Sequence, residues 1–174
     1  RDGKVVNTVY ELLGEGRKLA DDLNVELSAL LLCESAGDMP ANLAAYGADK
    51  VILCEDALLK DYTTDAYTKV ITDVINDKKP EIFLIGATNI GRDLGPRLAG
   101  RLYTGLTADC TGLAIDPETR GILQTRPAFG GNIMATIVTP RHRPQMSTVR
   151  PGVMKKPEPD YTKKAAVEKG NFTL

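Results

Sequence analysis

An arginine-rich stretch in the middle of the chain is the feature best suited to specific binding. Between Lys79 and Lys155 the sequence contains eight arginines and no lysine. Arginine offers a planar fork of donors that binds carboxylates and phosphates bidentately, so its repeated use indicates recognition by geometry as well as by charge. The sequence therefore predicts that the functional surface lies in this part of the chain.

Two segments carry most of the candidate binding residues. Residues 86–102 read GATNIGRDLGPRLAGRL, and residues 124–134 read QTRPAFGGNIM. The arginines can meet an acidic or phosphate-bearing partner, or they can pair with local carboxylates at a solvated surface. The predicted partner-interface residues are Arg92, Arg97, Arg126, Gly130, Gly131, Asn132 and Arg150.

Glycines mark both segments, and each glycine pattern has two interpretations. The Gly86–Gly91 stretch follows a predicted strand and precedes a predicted helix, which is where α/β proteins often bind phosphate. Its spacing matches neither common phosphate-loop motif, so a tight turn is the stronger interpretation. Gly130 and Gly131 can likewise form a hairpin bend or lie against a ligand, and the hairpin is favoured.

No residues combine into a catalytic or metal site. The single histidine, His142, lies between Arg141 and Arg143, and no paired carboxylates stand in an apolar setting. Three cysteines occur without a C-x-x-C pair, and Cys33 and Cys54 lie in apolar runs typical of small buried side chains. The prediction is no catalytic residue, no metal ligand and no enzyme activity.

The first half of the chain alternates helical and strand patterns. Apolar residues recur at helical spacing over 8–23 and 66–75, and Met39–Tyr46 reads as a short helix. Continuous apolar runs at 25–32, 50–54 and 81–86 indicate parallel strands buried on both faces. A further helix carries Leu94, Leu98 and Leu102, with Asp93 as its expected N-cap residue and Pro96 in its first turn. The predicted fold is a three-layer, doubly wound α/β domain with a mostly parallel sheet.

The second half is punctuated by proline, glycine and arginine. Its β-prone runs, 109–115, 122–126, 133–139 and 145–149, predict antiparallel hairpins that extend or cap the sheet. From Lys155 the sequence is polar and proline-broken, so residues 1–154 are predicted as the domain and residues 155–174 as a linker. The chain enters a helix at once, which leads us to expect a missing first strand and a longer parent polypeptide.

Charge and composition narrow the function classes. Residues 1–79 carry 9 basic and 15 acidic side chains, whereas residues 80–154 carry 8 and 5. This mild basicity fits a local anionic partner, and nucleic acid is disfavoured. No apolar stretch approaches a membrane span, and the absence of a disulfide pattern favours a reducing compartment, the cytoplasm.

These segments together resemble one protein family. GATNIGRDLGPRLAGRL, TRPAFGGNIMATI at 125–137 and RPQMSTVRPGVM at 143–154 are similar to the amino-terminal domain of the electron transfer flavoprotein alpha subunit. The earlier VYELLGEGRKLADDLNVELSALLL and YGADKVILCED segments follow the same order, so the resemblance covers essentially the whole chain.

The resemblance implies a fold, a cofactor and partners. The fold would be of the adenine-nucleotide-hydrolase-like type, docking as a scaffold to the electron transfer flavoprotein beta subunit. A separate carboxyl-terminal domain, with its own ligands, would bind FAD, and the beta subunit would bind AMP or a second FAD. The heterodimer would carry electrons from flavin dehydrogenases to an acceptor, with electron bifurcation in some members. It would lie in the cytoplasm of prokaryotes or in the mitochondrial matrix.

A second function stays open on the residues alone. A stand-alone nucleotide-binding domain of the universal-stress-protein or ATP-pyrophosphatase type would share the α/β pattern. It would need a phosphate loop after its first strand, which this sequence does not contain.

Overall fold

A computed structural model describes residues 1–174 and contains four α-helices and nine strands. The first half alternates strands and helices, and the second half is mostly strands, as predicted. The elements are α1 (Asn7–Leu23), β1 (Ser28–Cys33), α2 (Met39–Ala45), β2 (Lys50–Glu55), α3 (Thr64–Lys78), β3 (Ile82–Gly86), α4 (Asn89–Arg101), β4 (Leu106–Cys110), β5 (Gly112–Ile115), β6 (Ile122–Pro127), β7 (Met134–Ile137), β8 (Gln145–Val149) and β9 (Ala166–Lys169). None of the helices combines the length and apolar character needed to cross a bilayer.

Alternation along β1 explains the layers of the core. Successive side chains of a strand point to opposite faces. Leu30 and Leu32 pack with the cluster built by α3 and α4, whereas Ala29 and Leu31 pack with the cluster of α1 and α2. The parallel strands therefore lie between two helical layers, which confirms the predicted α/β class.

Hydrogen bonding divides the strands into three groups. Parallel pairing gives the orders β1-β2-β9 and β3-β8-β4, and antiparallel pairing gives β5-β6-β7. Strands β1 and β3 each pair on one side only, although their apolar side chains pack on the same helices. Arg1 lies in a cleft with Leu32 and Thr88, at the carboxyl ends of both strands. The sheet thus contains two unpaired edges that face a common core.

Strand β8 corrects the hairpin prediction for residues 145–149. This strand is parallel to both of its neighbours, β3 and β4, and all five of its residues are buried. The antiparallel prediction holds for β5, β6 and β7. The β-prone runs of the second half have similar sequence patterns, because the direction of a strand depends on its distant pairing partners and leaves no local signal.

The predicted run 109–115 is two strands, β4 and β5. Asp109 has a φ of 60°, in the left-handed region, and the β4–β8 register shifts between Thr107 and Cys110. A bulge of this kind bends and ends local pairing. The chain therefore bends at Asp109, leaves the parallel sheet after Cys110 and begins the antiparallel sheet at Gly112.

Helix α4 begins earlier than the sequence predicted. Its N-cap residue is Thr88, whose Oγ1 accepts a hydrogen bond from the N–H of Gly91 at 3.2 Å. The prediction of Asp93 was wrong, and Pro96 lies inside the helix. A Cβ at Gly91 would overlap the carbonyl oxygen of Gly86. The Gly86–Gly91 stretch is therefore a tight turn that lets α4 approach β3.

Residues 155–174 contain a strand that the sequence analysis missed. Strand β9 pairs parallel with β2, and Phe172 packs on a core cluster with α3. At the other end, Lys156 lies over the stacked rings of Tyr10 and Tyr46. The assignment of residues 155–174 as a linker stays a prediction.

Two glycines of α4 provide a test of its approach to β3. We expect Gly91→Ala to lower the free energy of unfolding by about 3 kcal/mol, because the added methyl group displaces backbone. Gly100, in the last turn, has no atom within 4 Å of the corresponding position. Gly100→Ala should therefore raise the free energy by about 0.5–1 kcal/mol through better helix propensity. Equilibrium urea unfolding measures both changes, and equal effects would contradict the packing.

Asp49 generates a pH-dependent prediction. Its carboxylate accepts hydrogen bonds from Arg17 at 2.7 Å, from the Leu27 N–H at 2.9 Å and from Lys163 at 3.0 Å. Burial alone would raise the pKa of Asp49, but these donors lower it from 3.8 to about 2. Because the folded pKa is the lower one, the stabilisation is complete above about pH 4 and is lost as the pH falls towards 2.

We therefore expect Asp49→Asn to destabilise the fold by about 1–2 kcal/mol at pH 7. The difference from wild type should shrink as the pH falls from about 4 to about 2. Urea unfolding at several pH values measures the difference, and a pH-independent difference would remove the carboxylate charge from the explanation.

Candidate functional site: an arginine cluster beside an exposed hairpin

The carboxyl ends of three strands bring distant residues together. Gly86 and Cys110, the last residues of β3 and β4, both lie opposite Val149, the last residue of β8. The Arg150 N–H then donates to the carbonyl of Cys110 at 2.9 Å. Ligand sites of α/β sheets lie at such carboxyl edges. This edge is therefore where we look for the site.

Arg150 is held by a bidentate ion pair with Asp109. Its Nε donates to Oδ1 at 3.0 Å, and a terminal nitrogen donates to Oδ2 at 2.6 Å. The Asp109 N–H donates to Thr148 Oγ1 at 2.8 Å. Hydrogen bonds from Arg150 lower the pKa of Asp109 despite partial burial, and the charges of Arg92 and Arg126 lower it further. The carboxylate is thus ionised and stands among three guanidinium groups.

Strand β6 positions Arg126 near Asp109 and Arg150. Gln124 and Arg126 share one face of the strand because side chains alternate, and Gln124 Oε1 accepts a hydrogen bond from Ser147 of β8 at 2.5 Å. The carbonyl of Thr125 accepts from the Thr111 N–H, next to Cys110. The Arg126 Nε is buried without a hydrogen-bond partner.

Arg92, from the exposed side of α4, completes what we call the arginine cluster: Arg92, Arg126 and Arg150 around Asp109. The guanidinium groups of Arg92 and Arg126 make no hydrogen bond or ion pair within the chain, whereas Arg150 is paired. Three positive charges and one negative charge leave an excess of positive charge at this edge. The cluster can therefore accept an anionic group with unoccupied donors.

An exposed apolar hairpin tip extends from Arg126. Residues 127–140 contain no charged side chain, and Phe129, Ile133 and Met134 are exposed. The loop between β6 and β7 closes with a hydrogen bond from the Ala128 N–H to the Ile133 carbonyl, at 2.8 Å. Gly130 and Gly131 have φ values of 100° and 83°, which confirms the predicted hairpin bend. Exposed apolar groups beside arginine are typical of protein interfaces.

The structure groups most, but not all, of the predicted interface residues. Arg92, Arg126 and Arg150 meet at the cluster, and Gly130–Asn132 form the adjacent turn. Arg97 lies apart and pairs with Asp65 of α3 at 2.8 Å. Sequence reasoning missed Asp109, since its role depends on a left-handed backbone and on Arg150, which lies far along the chain.

Thiol chemistry has no support at this edge. Cys110 is buried and its thiol donates to the Thr107 carbonyl at 3.4 Å, and burial raises the pKa of this thiol despite the nearby charge of Arg126. Cys33 and Cys54 are also buried, as expected, and burial raises the pKa of Cys54 to about 11. Reactive cysteines have lowered pKa values. The arrangement is therefore suited to binding rather than to nucleophilic catalysis.

Fold and site together define a class: an α/β domain with a binding surface of arginines and an apolar hairpin. A family model for the electron transfer flavoprotein domain matches residues 1–174. The chain therefore belongs to the electron transfer flavoprotein family.

Curated relatives agree with this assignment. The chain is 58% identical over 156 residues to the electron transfer flavoprotein subunit alpha of Clostridium acetobutylicum, covering 90% of this chain and 46% of that protein. It is 54% identical over 180 residues to the acryloyl-CoA reductase electron transfer subunit beta of Anaerotignum propionicum, covering 91% and 49%. It is 56% identical over 160 residues to Protein FixB of Clostridium saccharobutylicum, covering 92% and 48%. The chain spans about half the length of these relatives.

These relatives confirm the resemblance identified in the sequence. Two of the three are named as electron transfer subunits. They do not favour the alternative of a stand-alone nucleotide-binding domain.

Proposed function

We propose that this chain is the amino-terminal domain of an electron transfer flavoprotein alpha subunit and acts as a scaffold rather than as an enzyme. In this proposal it docks to the beta subunit, and the heterodimer carries electrons from flavin dehydrogenases to a downstream acceptor in the cytoplasm. The observation that supports docking most directly is the juxtaposition of unpaired arginines with the apolar hairpin tip.

The chemistry of the surface supports a partner rather than a substrate. Hot spots of protein interfaces are enriched in arginine and aromatic residues, and apolar contacts around them exclude water. Arg126 and Phe129 have these residue types and lie three residues apart at one end of the hairpin. We therefore assign the cluster and the turn Gly130–Asn132 to the intersubunit surface or to the approach to a flavin. Arg97 would belong to the same surface only if the partner also extends from Arg92 towards the Arg97–Asp65 pair.

The cofactors are assigned to other parts of the assembly. We propose that FAD binds to a further domain of the full-length alpha subunit, which residues 155–174 would lead to. The beta subunit would hold AMP or a second FAD. The role of this domain is then to hold the flavin-bearing parts in register. Electron bifurcation would depend on that second flavin.

The unpaired edges of β1 and β3 support the predicted first strand. We propose that residues ahead of Arg1 in a longer polypeptide fill the space between these strands. Apolar side chains on both edges already pack against α3 and α4, and Arg1 lies at the carboxyl ends of both strands. A parallel strand ending there would enter α1 directly, as right-handed βαβ connections require.

Hydrogen exchange tests this strand. Alternate amides of β1 and β3 point to the unpaired side and should exchange at least about 100-fold faster in residues 1–174 than in the full-length subunit. The amides of β8, which is paired on both sides, serve as the internal control. Equal exchange of the β1 and β3 amides in the two proteins would contradict the proposal.

Assembly of the full-length subunit with the beta subunit tests the docking surface. We expect Arg126→Ala to raise the dissociation constant of the heterodimer at least about tenfold, because unpaired arginines at interfaces are frequent hot spots. Arg101→Ala is the matched control, since Arg101 is an exposed arginine of α4 without an ion pair. Sedimentation or titration calorimetry measures assembly, and flavin reduction by a dehydrogenase measures electron transfer.

Wild-type assembly and wild-type flavin reduction for Arg126→Ala would contradict the proposed role of the arginine cluster in docking. Arg97→Ala measures the extent of the surface. Weakened assembly would extend the interface to the Arg97–Asp65 pair, and unchanged assembly would limit it to the arginine cluster and the hairpin tip.

A further inference from the structure

Asp109 has a left-handed backbone conformation in the bulge of β4. Its φ of 60° lies in a region that residues other than glycine seldom adopt, although aspartate and asparagine tolerate it best. Strained backbone of this kind concentrates at functional sites, where the surroundings hold it in place. Here the bulge, the Thr148 hydroxyl and the Arg150 fork all hold Asp109.

The Asp109 carboxylate is paired with one arginine and lies within the electrostatic reach of two others. Both oxygens bind Arg150, and the charges of Arg92 and Arg126 also act on it. Without it, three guanidinium groups would repel one another at one edge of the sheet. Asp109 therefore permits the arginines to stand together, and it fixes the orientation of one of them.

The two remaining guanidinium groups determine what the cluster can bind. Arg92 and Arg126 keep their donors free, and the Arg126 Nε is buried without an acceptor. A buried donor without a partner is costly and is commonly satisfied on binding. The neighbouring hairpin tip is apolar and uncharged. The complementary surface is one with carboxylates beside an apolar patch.

We propose that Asp109 is a positioning residue that holds the arginine cluster as the docking point for acidic side chains of the partner subunit. This inference rests on the proposed function, because it names the partner chemistry of the same surface. Asp109 does not touch the partner itself and acts only through the arginines of the cluster.

Asp109→Asn provides the sharpest test, because asparagine retains the shape and the left-handed preference and removes only the charge. With the full-length subunit, we expect the heterodimer to dissociate about tenfold faster, because Asp109→Asn weakens the bidentate interaction that orients Arg150. The association rate should stay equal or rise, with a steeper dependence on salt, because the cluster gains positive charge. A purely structural role would lower thermal stability without this split between the two rates.

A double-mutant cycle tests whether Asp109 acts through Arg150. Asp109→Asn combined with Arg150→Gln should weaken assembly no more than the stronger single variant, since both remove one interaction. Additive losses would overturn the positioning role. An unchanged dissociation rate for Asp109→Asn beside a weakened Arg126→Ala variant would also overturn it, and would leave the docking function standing.

Two further outcomes separate the possible failures. Wild-type assembly for Asp109→Asn, Arg126→Ala and Arg92→Ala together would overturn the proposed docking function and this inference with it. An association rate that does not change with the sodium chloride concentration would overturn the assignment of acidic side chains, because attraction between guanidinium groups and carboxylates is screened by salt.

Discussion

Strand β8 is the element on which the rest of the structure depends, because its buried polar side chains must find partners. Ser147 donates to Gln124 of β6, and Thr148 accepts from the N–H of Asp109 in the bulge within β4. The bond between Ser147 and Gln124 joins the parallel sheet to the antiparallel sheet, and the bond between Thr148 and Asp109 fixes the bulge within the parallel sheet. Apolar packing alone would allow the two to slide, whereas hydrogen bonds between buried groups select one relative position.

The same constraint determines the geometry of the arginine cluster. Arg150 follows β8 directly, Arg126 lies two residues beyond Gln124, and Asp109 is held by Thr148. The positions of these charges are therefore a consequence of how β8 is buried. A surface that must present guanidinium groups at defined positions gains accuracy when strands rather than loops support it. The exposed hairpin tip adds apolar area beside this rigid edge.

Local patterns predicted some elements well and failed at others for identifiable reasons. Helical periodicity located α1 and α3, because apolar residues at three- and four-residue spacing lie on one face of a helix and can be recognised within a short stretch of sequence. It could not give the direction of β8 or reveal β9, whose partner β2 lies more than 100 residues away. The early beginning of α4 depended on Gly91 against Gly86, a contact across a turn that cap preferences do not encode. Five of the seven predicted interface positions, Arg126, Arg150 and the turn Gly130–Asn132, lie at the strand edge or on the hairpin that extends from it.

The sequence by itself determined the α/β class, the hairpin bend at Gly130 and Gly131, the family, and the residue types available for binding. Each of these depends on composition, short-range periodicity or recognisable strings. Only the tertiary structure decided that Arg92, Arg126 and Arg150 meet around Asp109 and that Arg97 does not. The reason is physical: charge interactions act through space at a few ångströms, whereas the residues that make them come from four separate segments of the chain.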